Sequence, residues 1–333
     1  MLKRRTLVAG SVGIIAGALT SGRTSAAASP EDLKIAVSST SFVLGGAKIG
    51  QQAGLFAKNG LQPGIVVMES GNAAMSALIG GSVPFAVTGP PEVLAARLRG
   101  QDMVIVANLY AGFAGSLILA TEVAKRTGVL PTASVQERLH ALDGLTIAVP
   151  SATSVLLAPI KEGAARTGAT ARFTYMAQPA MPAALESGAI QGFVASFPFA
   201  GTPVLRGTGV IWINGPGGEL PADLMPSSSS VLQATSAYVK ANPQTVGKLR
   251  QSIVDIAGFI QKDQAAAKRA LAASYPQLSP QAIDLAYDQQ WRNWTKPFLT
   301  AADMRQELKL LKASMHAPGL DSLDPTAALF EPT

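Results

Sequence analysis

Two short stretches far apart in the chain carry one pattern, and this repetition limits the fold more than any other feature of the sequence. Leu142-Asp-Gly-Leu-Thr-Ile-Ala-Val-Pro-Ser-Ala-Thr-Ser154 reads as a turn, a short buried strand and a hydroxyl-rich loop that feeds a helix. Leu33-Lys-Ile-Ala-Val-Ser-Ser-Thr-Ser41 repeats it, with Ile35-Ala36-Val37 answering Ile147-Ala148-Val149 and Ser39 answering Ser151. The correspondence continues at an offset of about 107 to 112 residues, the mark of an internal repeat. Lys58-Asn59-Gly60 answers Arg166-Thr167-Gly168 as a helix end with glycine at its cap. Val66-Val67-Met68 answers Thr174-Tyr175-Met176, and Ala77 to Val83 answers Ala184 to Ile190. Each half is therefore β-α-β-α-β, and the fold expected is α/β with two lobes, each a β-sheet flanked by helices.

Composition narrows the function classes. Nearly half of the 333 residues are hydrophobic and only 14% are charged, which suits packed cores rather than disorder. The formal charge of +6 invites a nucleic-acid reading, but residues 1–28 contribute Lys3, Arg4, Arg5 and Arg23 with no acid. Without that segment 23 basic side chains face 21 acidic ones, and no basic cluster with interleaved aromatics remains to track phosphates. No nucleic acid is expected as a partner. Cysteine is absent, which removes disulfides and thiolate metal sites, and His140 and His316 are too few for a histidine metal site or triad. Neither metal nor cofactor is expected. No nucleophile–base pair and no phosphate-binding glycine motif is visible, so the chain does not read as an enzyme.

In chain order, residues 1–28 read as an export signal: a basic start, an apolar run from Leu7 to Leu19 too short to span a bilayer, and Ala26-Ala27-Ala28 as a cleavage site. Lys3-Arg4-Arg5-Thr6-Leu7-Val8 is twin-arginine-like, although Leu7 stands where phenylalanine is usual, and either export route leads to the periplasm. Residues 29–112 together with 231–333 are expected to form lobe one, and residues 113–230 lobe two. The chain crosses near Tyr110–Gly115 and returns through the Gly-, Pro- and Ser-rich tract Asn214–Ser230. One helix is predicted over Gly46–Lys58, a strand at Ile65–Met68, and helices beginning at Asn242-Pro243, Ser279-Pro280 and Thr300. Trp291, Trp294 and Phe298 stand at helical spacing in that last part, which favours core packing over a ligand pocket.

If the lobes face each other, five strand-end loops converge: Ser38–Phe42, Glu69–Asn72, Thr88–Pro91, Ser151–Ser154 and Ser196–Phe199. They carry hydroxyls, helix N-terminal amides and aromatic rings, but no Arg or Lys. The ligand contacts expected are Ser39, Ser41, Phe42, Gly71, Asn72, Thr88, Gly89, Tyr110, Ser151, Thr153, Ser154 and Phe197. Backbone amides and hydroxyls would hold an anionic or strongly accepting head group, with Phe42 and Phe197 against the remainder. Glu69 and Glu92 read as carboxylates that could take an amine.

The export signal, the Leu33–Val37 start, Ala77-Leu78-Ile79-Gly80-Gly81, the Leu142–Val149 run with its serine loop and Glu186-Ser187-Gly188-Ala189-Ile190 together resemble the periplasmic substrate-binding proteins of nitrate, sulfonate and taurine ABC importers. The resemblance covers nearly the whole chain beyond residue 28. It implies a periplasmic-binding-protein fold of the two-crossover type, a monomer that closes on a small organic or inorganic anion, and an ABC permease in the inner membrane as partner. Members usually carry Asp after the third strand's lead residue, where this chain has Pro84 and Gln191, a position that reads as structural. Two alternatives share the fold. A pyrimidine-precursor enzyme of the same superfamily relies on a cysteine-rich motif that this chain lacks, and a ligand-binding subunit of a membrane receptor needs no further motif.

Overall fold

The computed structural model describes residues 30–331 apart from Ser39, Thr153, Met315 and His316. The export segment 1–28, Ser39, Thr153 and His316 thus lie outside the described residues. Among the described residues ten strands form two five-stranded sheets. The first contains β1 (Glu31–Val37), β2 (Leu61–Val67), β3 (Phe85–Thr88), β4 (Met103–Ala111) and β10 (Ser228–Thr235), in the order β2-β1-β3-β10-β4. The second contains β5 (Ser116–Ala120), β6 (Thr146–Val149), β7 (Arg172–Tyr175), β8 (Gly192–Ala195) and β9 (Gly209–Asn214), in the order β7-β6-β8-β5-β9. The repeat read from the sequence is the common frame: β1 is parallel to β2 and β3 as β6 is parallel to β7 and β8. Each sheet then takes one antiparallel strand reached across an interlobe connection, β10 in the first and β5 in the second. The chain passes between the sheets after Ala111 and returns between Asn214 and Ser228.

The central strands are apolar on both faces because helices cover both, as parallel strands require. Ala36 and Ala148, at matching places, are both fully buried. One apolar cluster runs through both lobes, linking Phe42, Phe85 and Ile253 to Ile118, Phe193 and Phe197. A second lies behind the first sheet around Leu94 and Met304, and a third behind the second sheet around Ile147 and Trp212. The long helix Pro243–Lys262 buries Val246, Leu249, Ile253, Ile256 and Ile260, a stripe at three- and four-residue spacing. It packs so close to the helix Gly45–Gln52 that a Cβ on Gly50 would stand 2.2 Å from Ile256 Cδ1, which explains the glycine. Trp294 is buried, with Nε1–H donating to the Phe42 carbonyl at 3.0 Å, and so belongs to the core.

Four local readings change. The single helix expected over Gly46–Lys58 is two, Gly45–Gln52 and Leu55–Lys58, because Gly54 takes a left-handed φ of 70° between them. β2 starts at Leu61 rather than Ile65 and runs through Pro63 and Gly64, which an edge strand tolerates. β10 begins at Ser228, so Ser228 to Ser230 are strand rather than loop. Their hydroxyls tie the two connections together: Ser229 Oγ accepts from Ala114 N–H and donates to Gly112 O, both at 2.8 Å. A helix unforeseen from the sequence, Val135–His140, starts with a complete capping box between Ser134 and Glu137. Gln191 Oε1 accepts from Thr146 N–H at 3.0 Å, a structural role at the position where Asp was expected.

Candidate functional site

The carboxyl ends of the parallel strands from both sheets open on a cavity of about 400 Å3, within the range of roughly 300–1,000 Å3 for small-molecule sites. Its walls are placed by the strand registers. Val37 pairs with Val67 and Val149 with Tyr175, so the ends of β2 and β7 reach the same height in the two lobes. One more hydrogen bond follows in each, Met68 N–H to Val37 O at 2.8 Å and Met176 N–H to Val149 O at 3.1 Å. Val67, Met68, Tyr175 and Met176 all line the cavity, and Val67 and Tyr175 are 60% and 53% exposed at its mouth. Beyond them the lobes diverge. Ser70 caps the helix Gly71–Ile79 by accepting from Ala73 N–H at 3.1 Å, whereas Gln178 Oε1 accepts from Ser196 N–H at 2.9 Å and lies 3.0 Å from Ser196 Oγ.

The third strands supply the sharpest difference. Ala86 pairs with Ala36 and Phe193 with Ala148, so Glu92 and Phe199, each six residues further on, are structural counterparts, and both line the cavity. Glu92 stands in the first turn of the helix Pro90–Leu98, where the helix dipole favours an acid. It is only 9% exposed, and among the described residues its Oε2 has no hydrogen-bond partner. Burial pushes its carboxyl up to about 8, against partial compensation from its own N–H and that of Gly89. A Cβ on Gly89 would stand 2.9 Å from Oε2, and one on Gly71 would stand 3.4 Å from Oε1, so glycine at both places leaves room for the carboxyl. Ser230 Oγ, on the same cavity, is likewise buried without a partner among the described residues.

Behind this wall Glu307, on the helix Ala301–Ser314, accepts from Ser227 N–H at 2.6 Å and Ser228 N–H at 3.0 Å. Burial, helped by the nearby Asp303 and Glu92 charges, pushes its carboxyl up to about 8 as well, with the two N–H groups opposing.

Of the residues expected from the sequence, Gly71, Thr88, Gly89, Ser151 and Ser154 line the cavity. Thr88 Oγ1 accepts from Gln233 Nε2 at 2.7 Å, and Ser154 Oγ accepts from Leu156 N–H at 3.2 Å. Asn72 is exposed and off the wall. Ser41, Phe42, Tyr110 and Phe197 are buried away from it, because the loop after β1 turns into the contact between the lobes. Ser41 Oγ lies 2.9 Å from Ser196 Oγ, Phe42 N–H donates to Phe197 O at 2.7 Å, and the Phe42 ring meets Tyr275 at 4.5 Å. Tyr110 points to the C-terminal helices, accepting from Asn293 Nδ2 at 3.0 Å and donating to Gln290 Oε1 at 3.2 Å. Ser39 and Thr153 lie outside the described residues. The contact list drawn from sequence omitted Met68, Tyr175, Met176 and Gln178, and also Ser70 and Phe199, although these two fall within the loops expected to converge. The matched strand ends were the signal that could have found the two methionines and Tyr175. Ser229 and Ser230 gave none, since their approach depends on β10 returning from the other lobe.

Among the described residues no helix is long and apolar enough to cross a membrane. A search of curated proteins finds no match. Solved structures do match over nearly the whole chain. A protein of Bordetella bronchiseptica RB50 is 20% identical with a TM-score of 0.73, covering 90% of this chain and 94% of its own. The alkanesulfonate-binding protein SsuA of Xanthomonas axonopodis pv. citri, bound to MOPS, is 18% identical with a TM-score of 0.70, covering 91% and 99%. The periplasmic nitrate-binding protein NrtA of Synechocystis PCC 6803 is 14% identical with a TM-score of 0.64, covering 88% and 86%. The two sheets and their flanking helices thus form the two-lobed periplasmic-binding-protein fold expected from the sequence. Residues 28–274 match the family in sequence as well, well over half of the chain, and the protein belongs to the NMT1-like family.

Proposed function

We propose that this chain is the solute-binding component of an ABC-type importer, exported by its first 28 residues and taking one small molecule between two lobes in the periplasm. The observation that carries this reading is the interlobe cavity, whose wall includes polar atoms without partners among the described residues, Glu92 Oε2 and Ser230 Oγ. Buried polar groups of that kind cost free energy until something bonds them. Lobe one takes residues 29–112 with 228–333, the boundary moved from 231 because β10 begins at Ser228, and lobe two takes residues 113–227; an inner-membrane permease is the partner of a monomeric protein. Ligand contacts fall to Gly71, Thr88, Gly89, Ser151 and Ser154 from the expected set, joined by Glu92, Ser230, Tyr175, Gln178 and Phe199. A compact anion such as a sulfonate or nitrate fits this wall poorly, since Glu69 lines it and, among the described residues, no Lys, Arg or His does.

A bound solute bridges the lobes and closes them about the two connections. A broad thermal-shift screen of small metabolites should find a stabiliser, worth about 2.7 kcal/mol at 100 times its dissociation constant. Solution scattering with that ligand should show a smaller radius of gyration. A ligand that binds by calorimetry yet leaves the radius unchanged, or a screen in which nothing binds, would sink the solute-binding reading. Intact mass of the periplasmic protein should correspond to a start near Ser29, and a mass retaining Arg4 and Arg5 would remove the export step.

A further inference from the structure

Resting on the solute-binding reading, we infer that Glu92 selects a ligand whose head group is a protonated nitrogen, an amine, amidine or guanidine, carried on an apolar or aromatic body. The geometry is specific to this wall. Glu92 has one carboxylate oxygen without a partner among the described residues, in a side chain more than nine-tenths buried. The first-turn position accounts for an acid at this place in the helix, but not for burying it unpaired. Glycine at 71 and 89 leaves room for the carboxyl in the cavity wall, and Ser230 Oγ is a second buried oxygen of that wall without a partner among the described residues. An N–H cation supplies what both oxygens lack, and a charge-assisted bond of this kind is roughly twice as strong as a neutral one. The opposite lobe presents Tyr175, Met176 and Phe199, which suit an apolar body and, in the case of the two rings, a nearby cation.

Two carboxylates share its side of the cavity: Glu69 stands at the mouth, and Glu307, close enough to feel the Glu92 charge, lies on the helix behind, where Asp303 is paired with Lys296 at 2.7 Å. Among the described residues no basic side chain lines the cavity. In the empty protein Glu92 keeps its proton at neutral pH, because its carboxyl is pushed up to about 8. A cation that bonds the carboxylate must therefore release that proton. Its affinity rises with pH toward 8 and levels off above, by close to tenfold per pH unit where one full proton is released. An oxyanion bonded by the protonated acid would lose affinity over the same interval.

The test is calorimetry and thermal shift on the mature protein at pH 6, 7 and 8. Benzamidine, phenethylamine and agmatine are compared with benzoate, benzenesulfonate and nitrate. Binding is expected from the nitrogen cations, with affinity increasing roughly tenfold from pH 6 to 7 and about fivefold from pH 7 to 8, and protons released to the buffer. Glu92→Gln should weaken that binding at least tenfold at pH 8, on the order expected for losing a charged hydrogen bond, and flatten the pH dependence. If Glu92→Gln fails to fold, Gly89→Ala serves instead, because its methyl would crowd Oε2 from 2.9 Å. Cation binding unchanged in the variant, or binding by the anions alone, overturns the inference and leaves the solute-binding reading standing. Binding by neither set also overturns it, and the broader screen with scattering then decides the solute-binding reading separately.

Discussion

The two lobes offer the cleft the same strand frame and opposite chemistry. At matched positions lobe one gives Glu69, Ser70 and Glu92 where lobe two gives Ala177, Gln178 and Phe199, with Met68 and Met176 alike on both sides. Backbone hydrogen bonding fixes where a strand ends, and so it reproduces the positions. It leaves the side chains beyond the last bond free to differ, because those atoms meet the cavity rather than a neighbouring strand. A duplicated scaffold can in this way hold a ligand with unlike ends, one polar and one apolar, without any change in its sheets.

The largest effects should come from the cores that hold the two sides apart. Trp212 is fully buried in lobe two with Nε1–H on Arg138 O at 2.7 Å, and Trp294 is nearly so in lobe one with Nε1–H on Phe42 O. Either change to alanine should cost about 3–5 kcal/mol in denaturant unfolding. Hydrogen exchange should separate them. Trp212→Ala should speed exchange in β5 to β9, whereas Trp294→Ala should also release the Phe42 amide that bonds Phe197 O across the lobes. Equal loosening of both sheets by both variants would mean that the lobes are one cooperative unit.

The next effect separates the lobes by pH. Glu92 and Glu307, both on the side of the first sheet, have folded-state values near 8 against an ordinary value of 4.5. Between these values the native state holds protons that the unfolded chain has released, so their contribution is intact below about pH 4.5 and is lost as pH rises toward 8. Stability should fall by up to about 1.4 kcal/mol per pH unit for each carboxyl in that window. Urea midpoints from pH 5 to pH 9 check the slope, which Glu92→Gln and Glu307→Gln should each flatten in part. A slope unchanged in both variants would place the titration elsewhere.

The smallest effect bears on the mouth of the cleft. Tyr175→Ala should weaken whatever solute the screen finds by about 0.5–1.5 kcal/mol, and its register partner Val67→Ala by less, since the ring brings both contact area and a polarised face. Calorimetry on the two variants gives the comparison directly. Equal losses would mean that the mouth closes on the ligand without distinguishing its sides.

Much of this molecule was legible in the residues. Ile35-Ala36-Val37 and Ile147-Ala148-Val149 marked the central strand of each sheet, because a strand buried on both faces must be apolar and short. The helix break at Gly54 and the early start of β2 were missed for the opposite reason: glycine and proline are read as punctuation, and only the conformation or the sheet position says which kind. Within the site, Thr88, Gly89, Ser151 and Ser154 were found because loops at parallel strand ends must face the cleft. Phe42 and Phe197 were expected there for the same reason and went into the core, since an aromatic ring in a loop takes whichever apolar surface lies nearest, and Tyr110, expected from its place at the crossover, is buried in β4 with its hydroxyl on Gln290 and Asn293.

The sequence by itself determined the duplication, the two-lobed α/β class and the family resemblance, all of which rest on local periodicity and spacing along the chain. Only the tertiary structure decided that Glu92 is buried, with Oε2 lacking a partner among the described residues, while Glu69 is exposed, and that Ser230 reaches the cleft from a strand returning out of the other lobe. Burial and hydrogen-bond satisfaction depend on which distant segments come to lie against a residue, and no short stretch of chain carries that information.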